Sequence, residues 1–166
     1  MISYQVNISG PRAALALFAR GVGDTTILNR QIGAKYFAWV EENFETQGAK
    51  GGKPWAPLKA GGRWKGKGKN RNFQTDYRIL QDTGNLKQSF AQFFDANQAG
   101  VGARASFFPS KEGGKGDYAT AHEEGDPSRN LPQRKMLMTP AVGLKIATDI
   151  YTLRINKLAQ AAGLSA

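Results

Sequence analysis

From Leu28 to Phe44 an apolar side chain returns every fourth residue: Leu28, Ile32, Tyr36, Val40 and Phe44, with Phe37 beside them. That is the period of one helix face. It predicts a long helix, capped at Asp24 or Thr25, running to about Gln47 and closed by Gly48. A helix of this length must bury its stripe against other elements. Near the far end of the chain a second stretch has the same period: Val142, Ile146, Ile150, Leu153 and Leu158, opened by Pro140 and running to about Ala162.

The elements around and between these helices are short. Ile2, Tyr4, Val6 and Ile8 alternate strictly with Ser3, Gln5 and Asn7, the period of a half-buried strand. Pro11 opens a short helix over residues 11 to 19, ended by Gly21 and Gly23. Residues 86 to 94, LKQSFAQFF, read as a strand; Asp95, Ala96 and Asn97 form a turn, and residues 98 to 105 return as the second strand of a hairpin. SKEGGKGD at 110 to 117 is a polar loop, residues 118 to 124 form one or two helical turns, and RKMLM at 134 to 138 is a last short strand. The pattern predicts an α+β fold in one domain over residues 1 to 166. A small antiparallel or mixed sheet carries the long helix of the N-terminal half and the C-terminal helix packed on it, plus a long basic loop.

That loop, at about 48 to 76, has neither period, and its glycines and like charges predict a flexible segment. Lys50, Lys53, Lys59, Arg63, Lys65, Lys67, Lys69 and Arg71 lie there with no acid among them. Removing those eight from the chain's 23 cations leaves 15 against 13 acids, so most of the net charge of +10 belongs to one segment. A local basic patch calls for an anionic partner, either nucleic acid or an acidic protein surface. Trp64, inside the tract, has the chemistry to stack on a base. Trp55, stiffened by Pro54 and Pro57, reads better as an anchor of the loop base in the core. Glu41, Glu42 and Glu45 border the tract and suit either ion pairs with it or a solvated face. Gly61-x-x-x-x-Gly66-Lys67 matches most of a phosphate-binding loop. Gly68 stands where Ser or Thr should hold magnesium, and no apolar strand precedes it.

Catalytic chemistry is poorly supplied. With no cysteine, disulfides and thiolate metal sites are excluded. His122 is the single histidine, so a two-histidine zinc site is impossible. Asp117, His122, Glu123, Glu124 and Asp126 are close enough in sequence to suggest a carboxylate-rich cation site, but a structural loop with a hydrogen-bonded histidine accounts for them far better. The reading is a non-enzyme with no cofactor. No apolar run reaches membrane-spanning length, and MISYQVNISG lacks the pattern of a signal peptide.

Four strings then occur in order. ENFETQGAKGGKPWAPL (42 to 58) ends the long helix in Asn-Phe and continues with Gly-x-x-Trp-x-Pro-Leu. ILQDTGNLKQSF (79 to 90) contains Asp82-Thr83-Gly84. DYATAHEEG (117 to 125) has Tyr118, His122 and Gly125. LPQRKML (131 to 137) has Pro132-x-Arg134. The series resembles the phage virion morphogenesis family, the tail-completion proteins of Mu-like and related tailed phages, over about residues 25 to 160. The family's usual aromatic after Pro-x-Arg is replaced here by Lys135-Met136-Leu137. The resemblance implies a structural virion protein at the neck or tail end, assembled in the host cytoplasm. It implies a homo-oligomeric ring, hexameric by analogy, between the connector and the tail-terminator or tail-tube proteins. It implies no catalysis, cofactor or membrane, and at most non-specific contact with passing DNA. Physically, Asp82-Thr83-Gly84 reads as a turn, and Arg134, delivered by Pro132, suits pairing with a carboxylate. The alternative from another class is a monomeric DNA-binding accessory protein that uses the Gly/Lys/Trp loop.

Overall fold

The computed structural model describes residues 9–23, 25–57, 63–65, 69, 72–75, 77–81, 83–104 and 118–164. The expected strand at 2 to 8 and the polar loop at 110 to 117 lie outside them. The fold is α+β. In chain order it comprises α1 (Ser9–Gly23), α2 (Thr26–Glu45), a 3-10 turn (Ala49–Gly51), β1 (Arg63–Lys65), β2 (Asn72–Gln74), α3 (Asn85–Ser89), β3 (Phe90–Phe94), β4 (Ala99–Ala103), α4 (Tyr118–Glu124), a 3-10 turn (Pro127–Arg129) and α5 (Pro140–Ala161). The strands form two antiparallel pairs, β1–β2 and β3–β4.

α2 is the axis of the core. Its stripe supplies Leu28, Ile32, Val40 and Phe44, all buried, with Trp39. The β3–β4 hairpin lies across one side of it. Phe44 meets Phe90 with ring centroids 5.7 Å apart, and the Cβ position of Gly33 is 3.5 Å from the Phe93 carbonyl oxygen, which permits a close crossing. The hairpin turn is tied to the start of α2: Asn29 Nδ2 donates to the Asp95 carbonyl at 2.8 Å. The Thr25 hydroxyl donates to the Ala96 carbonyl rather than capping its own helix. Asp95 Oδ1 accepts from the backbone N–H groups of Asn97 and Gln98. Together with the Gln98 side chain, these bonds hold the Asp95 carboxyl below its ordinary pKa.

α5 runs antiparallel to α2 and continues along α1. Tyr36 Oη donates to the Gly143 carbonyl at 2.8 Å, Tyr151 Oη donates to Asn29 Oδ1 at 3.1 Å, and the Leu158 side chain sits against Gly21. The two sequence positions at each crossing keep a nearly constant sum, so α1 and α2 in succession form one rail for α5. Burial pushes the Tyr36 phenol above its usual pKa.

Three expected elements are corrected. α1 runs through Gly21 to Gly23 instead of stopping at 19, because Gly21 is where Leu158 packs. Residues 86 to 89 are helical, not strand. Gly84, at φ +75°, sets the turn, the Thr83 hydroxyl accepts from Asn85 N–H, and Ser89 Oγ bonds back to the Leu86 carbonyl at 2.7 Å. Leu86 and Phe90, four apart, then both enter the core. Residues 134 to 138 make no ladder, for the reason given below.

The basic loop is also more regular than expected. Trp64 pairs with Phe73 in a short antiparallel ladder, flanked by Arg63–Gln74 and Lys65–Asn72. Residues 58–62, 66–68, 70, 71 and 76 lie outside the described ones.

Candidate functional site

Three of the residues singled out by sequence, Trp55, His122 and Arg134, converge at the C-terminal end of α2. The helix closes with Gln47 at φ 50°. Gln47 N–H bonds to the Phe44 carbonyl at 3.2 Å and Gly48 N–H to the Asn43 carbonyl at 2.9 Å, the paired bonds of a Schellman close. Gly48 is required twice over. Its φ is +92°, and a Cβ there would lie 2.4 Å from Cδ1 of Trp55. Trp55 is buried, edge-on to Phe44 at 5.2 Å.

Asn43 is the hub. Its side chain is wholly buried. Nδ2 donates to the carbonyls of Lys135 at 3.0 Å and Met136 at 3.2 Å, and Oδ1 accepts from Gly51 N–H at 3.0 Å. Trp55 Nε1 also donates to the Lys135 carbonyl, at 2.9 Å. From the other side, Glu123 Oε2 accepts the N–H groups of Met136 at 2.6 Å and Leu137 at 3.2 Å. Arg134 N–H bonds to the His122 carbonyl at 2.7 Å. The segment 134 to 138 thus has the alternating burial of a strand, but side chains of α2, Trp55 and α4 supply much of its hydrogen bonding. That is why its sequence reads as β while no strand among the described residues pairs with it.

Arg134 is 3% exposed. Its Nε and Nη2 both donate to the Ala56 carbonyl, at 3.2 and 3.1 Å, and Nη1 lies 3.4 Å from His122 Nδ1. A carboxylate was the expected partner; a carbonyl is a principal one. Gly125, at φ +79°, brings the chain close, since a Cβ would stand 2.9 Å from Gln133 N. Pro132 is half-buried beside it. α4 begins at Tyr118, and Asp82 lies outside the described residues.

These bonds pin both ends of the basic segment. The outgoing end is held by Trp55 N–H on the Gln47 carbonyl at 2.7 Å and by Arg134 on Ala56. The returning end is held by Ile79 N–H on Gln47 Oε1 at 3.1 Å and Gln81 Nε2 on the Phe44 carbonyl at 2.8 Å. Arg78 and Lys87 both pair with Glu45. They hold its carboxyl below the ordinary Glu range, Lys87 first and Arg78 second. Of the cations in the tract, Lys50 pairs with Glu42 at 2.8 Å and so belongs to the helix end. Lys53 and Lys69 are exposed, and Arg63 and Lys65 flank Trp64 on β1. Lys59, Lys67 and Arg71 lie outside the described residues.

Sequence reading missed Asn43, Gln47 and Glu123 as ties. Asn43 carried a signal: it is a polar side chain three residues after Val40, on the apolar face of α2. Among the described residues no group of three His, Cys, Asp or Glu side chains is placed to hold a metal ion, and no helix is long and apolar enough to cross a membrane.

The site is therefore a mechanical clamp, a helix end that fixes two chain segments and the exit of a basic excursion. Comparison with family models matches residues 8–150 to the phage virion morphogenesis family. No curated protein and no solved structure matches the chain.

Proposed function

The chain belongs to the phage virion morphogenesis family, and from that premise we propose that it completes the tail and joins it to the head at the neck as an oligomeric ring. A structural role in the virion follows from the family; ring, neck and tail end are the finer reading. The observation that supports it is the surface of α5. In this helix of 22 residues only Gly143 is buried. Leu144 is 69% exposed and Leu153 57%, and Val142 and Ile155 are exposed too. These residues flank the core-facing stripe on both sides, so α5 offers apolar surface in two directions. Such surface on a single copy marks contacts made in an assembly, and two different faces suit head-to-tail closure. A domain of this size has a radius of gyration of roughly 15 Å, too small for one copy to enclose a DNA channel. The ring would sit between the connector and the tail-terminator or tail-tube proteins, with no catalytic step and no cofactor.

The basic excursion fits as a contact arm against acidic groups of an adjacent subunit. Eight cations per subunit lining a channel would retard DNA, since each phosphate contact adds affinity with a log–log salt slope of about −0.9. Replacing residues 61 to 69 with a short Gly-Ser link should leave the body folded, because the clamp holds both ends. Joining of heads to tails should then fail. Normal joining with slowed DNA delivery would place the arm in the channel.

Electron micrographs of particles lacking the protein test the main reading: separate full heads and finished tails are expected. Native mass spectrometry of purified necks should give a fixed multiple, six by family analogy; one or two copies per virion would refute the ring. The concentration of charge in residues 50 to 71 favours the second reading, a monomeric DNA-binding accessory protein. Tight, sequence-selective mobility shifts at physiological salt would establish it instead.

A further inference from the structure

The β3–β4 hairpin has an open edge with a groove beside it. Backbone bonds from Asp95 N–H to the Gln98 carbonyl and from Arg104 N–H to the Ser89 carbonyl bracket the ladder. With Phe93 opposite Gly100 and Ala91 opposite Gly102, antiparallel alternation makes those two pairs the hydrogen-bonded ones. Ala99, Val101 and Ala103 therefore turn their N–H and C=O groups away from β3, and no backbone partner meets them among the described residues. The corresponding edge of β3 is partly used, since Phe90 N–H bonds to the Lys87 carbonyl. Alongside β4 runs an open groove of about 300 Å³, lined by Tyr36, Val101, Leu137, Met138, Gly143 and Leu144. None of the described residues lining it is charged. A two-stranded hairpin is marginal alone, and an uncovered edge is a template for another strand.

One segment of this chain has the matching chemistry. Residues 2 to 8, ISYQVNI, carry no charge and alternate apolar with polar. Laid along β4, Ile2, Tyr4, Val6 and Ile8 would face the groove, and Ser3, Gln5 and Asn7 would face out. The rail geometry decides which copy supplies it. The crossings at Gly143–Tyr36, Tyr151–Asn29 and Leu158–Gly21 place Phe18 level with the end of α5 at Ala161. The first turns of α1 run on beyond it, with Ala13, Leu15 and Ala16 exposed. From Ser9 back to the level of Tyr36 is about 40 Å at 1.5 Å per helical residue. Seven extended residues span at most about 25 Å. A segment that short cannot run from Ser9 along its own β4 as far as the groove at Tyr36.

We propose that residues 2 to 8 of one copy add as a third strand to the β4 edge of the next copy, filling the groove beside Val101 and Leu144. Each copy then gives one strand and receives one, a heterologous contact that closes into a ring. The inference rests on the ring reading above and supplies its connecting contact.

The chain has no cysteine, so introduced thiols are unique. Necks assembled from an equal mixture of Val6→Cys and Leu144→Cys chains, treated with a flexible bismaleimide, should give a cross-linked dimer on a denaturing gel. The Val6→Cys/Leu144→Cys double variant at dilute, monomeric concentration should give none within one chain; an intramolecular link there would overturn the proposal. Deleting residues 2 to 8 should leave the thermal midpoint of the monomer unchanged and abolish the multimer. A synthetic ISYQVNI peptide should bind the deleted chain saturably and shift the methyl resonances of Val101, Leu137 and Leu144. Deleted chains that still form the parent's multimer would overturn the strand exchange and leave the ring standing. A parent present at one or two copies, with the peptide still bound in the groove, would instead sink the ring and keep the edge assignment.

Discussion

Replacing Asn43 should expose how much of the fold depends on one buried amide. Asn43→Ala removes the donor to two carbonyls and the acceptor for Gly51 N–H. The losses are unequal. The Lys135 carbonyl keeps Trp55 Nε1, and Gly51 N–H keeps the Gly48 carbonyl at 3.0 Å. The Met136 carbonyl is left without its amide donor. A buried group stripped of its partner costs about 1–3 kcal/mol, and a shared bond about 1 kcal/mol. With the void left by the amide, the total is about 2–4 kcal/mol, a large share of a typical 5–15 kcal/mol. Asn43→Asp should be worse at neutral pH, because it aims a carboxylate oxygen at two carbonyls in a buried site. That carboxyl would have its folded pKa raised above the unfolded value of about 3.9. The penalty is therefore absent below the unfolded pKa and grows as pH rises toward the folded one. Urea unfolding followed by tryptophan fluorescence, at pH 7 and pH 4, measures both variants, with unchanged m-values expected. An Asn43→Ala chain within about 0.5 kcal/mol of the parent, below the range expected for a buried hydrogen bond, would refute the hub. So would an aspartate variant more stable than the alanine one at pH 7.

Gly48→Ala and Gly52→Ala separate packing from backbone strain. Both glycines have φ near +90°, but an added Cβ meets Trp55 at 2.4 Å in the first and nothing within 4 Å in the second. Gly52→Ala should cost about 1 kcal/mol and Gly48→Ala several, by thermal denaturation. Arg134→Ala should lower stability by about 2–4 kcal/mol by orphaning the Ala56 carbonyl. Arg134→Lys should restore only part, since one ammonium cannot repeat the two-nitrogen grip; full stability with lost assembly would instead make Arg134 an interface residue. Glu45 has a lowered pKa, so its contribution is present above the ordinary Glu value of 4.5 and is lost as pH falls through the lowered one. Glu45→Gln should remove that acid dependence with a small, salt-sensitive effect at pH 7, read from urea midpoints between pH 2 and 7.

The parts of the fold legible in sequence were those with a long period. Five residues of α2 at four-residue spacing named its buried face, and Pro140 marked the start of α5. The hairpin turn was legible because Asp95 supplies a local acceptor. Short elements misled for a physical reason. Leu86 and Phe90 fit a strand or one helical turn, and Gly84 with Ser89 settles it only once the backbone is placed. Arg134, Met136 and Met138 alternate as a strand does, but alternation reports two-sided burial and not what bonds the backbone. The partners here come from Asn43, Glu123 and Trp55, up to about ninety residues away, and no local pattern announces them. The clamp was legible in its members more than in its roles: Trp55, His122 and Arg134 stood out, whereas Gln47 looked like the last residue of a helix.

Among the described residues the ties are dense at one end of α2 and sparse at the other. At the C-terminal end of α2 the ties are buried and span long sequence separations. At the other end, α1 meets α5 where Leu158 lies on Gly21, and Leu15, Leu153, Ile155 and Leu164 are exposed. Local stability follows buried apolar contact, so hydrogen exchange should show the α1–α5 end opening at lower free energy than the clamp. Binding to the folded form raises stability by mass action, and the gain is greatest where the single copy buries least. In the proposed ring, assembly would couple to ordering of the α1–α5 end, while the clamp already holds both ends of the basic segment in each copy. A chain built this way has a buried clamp to fold around, and in the proposed ring its exposed apolar surface on α5 would meet the next subunit.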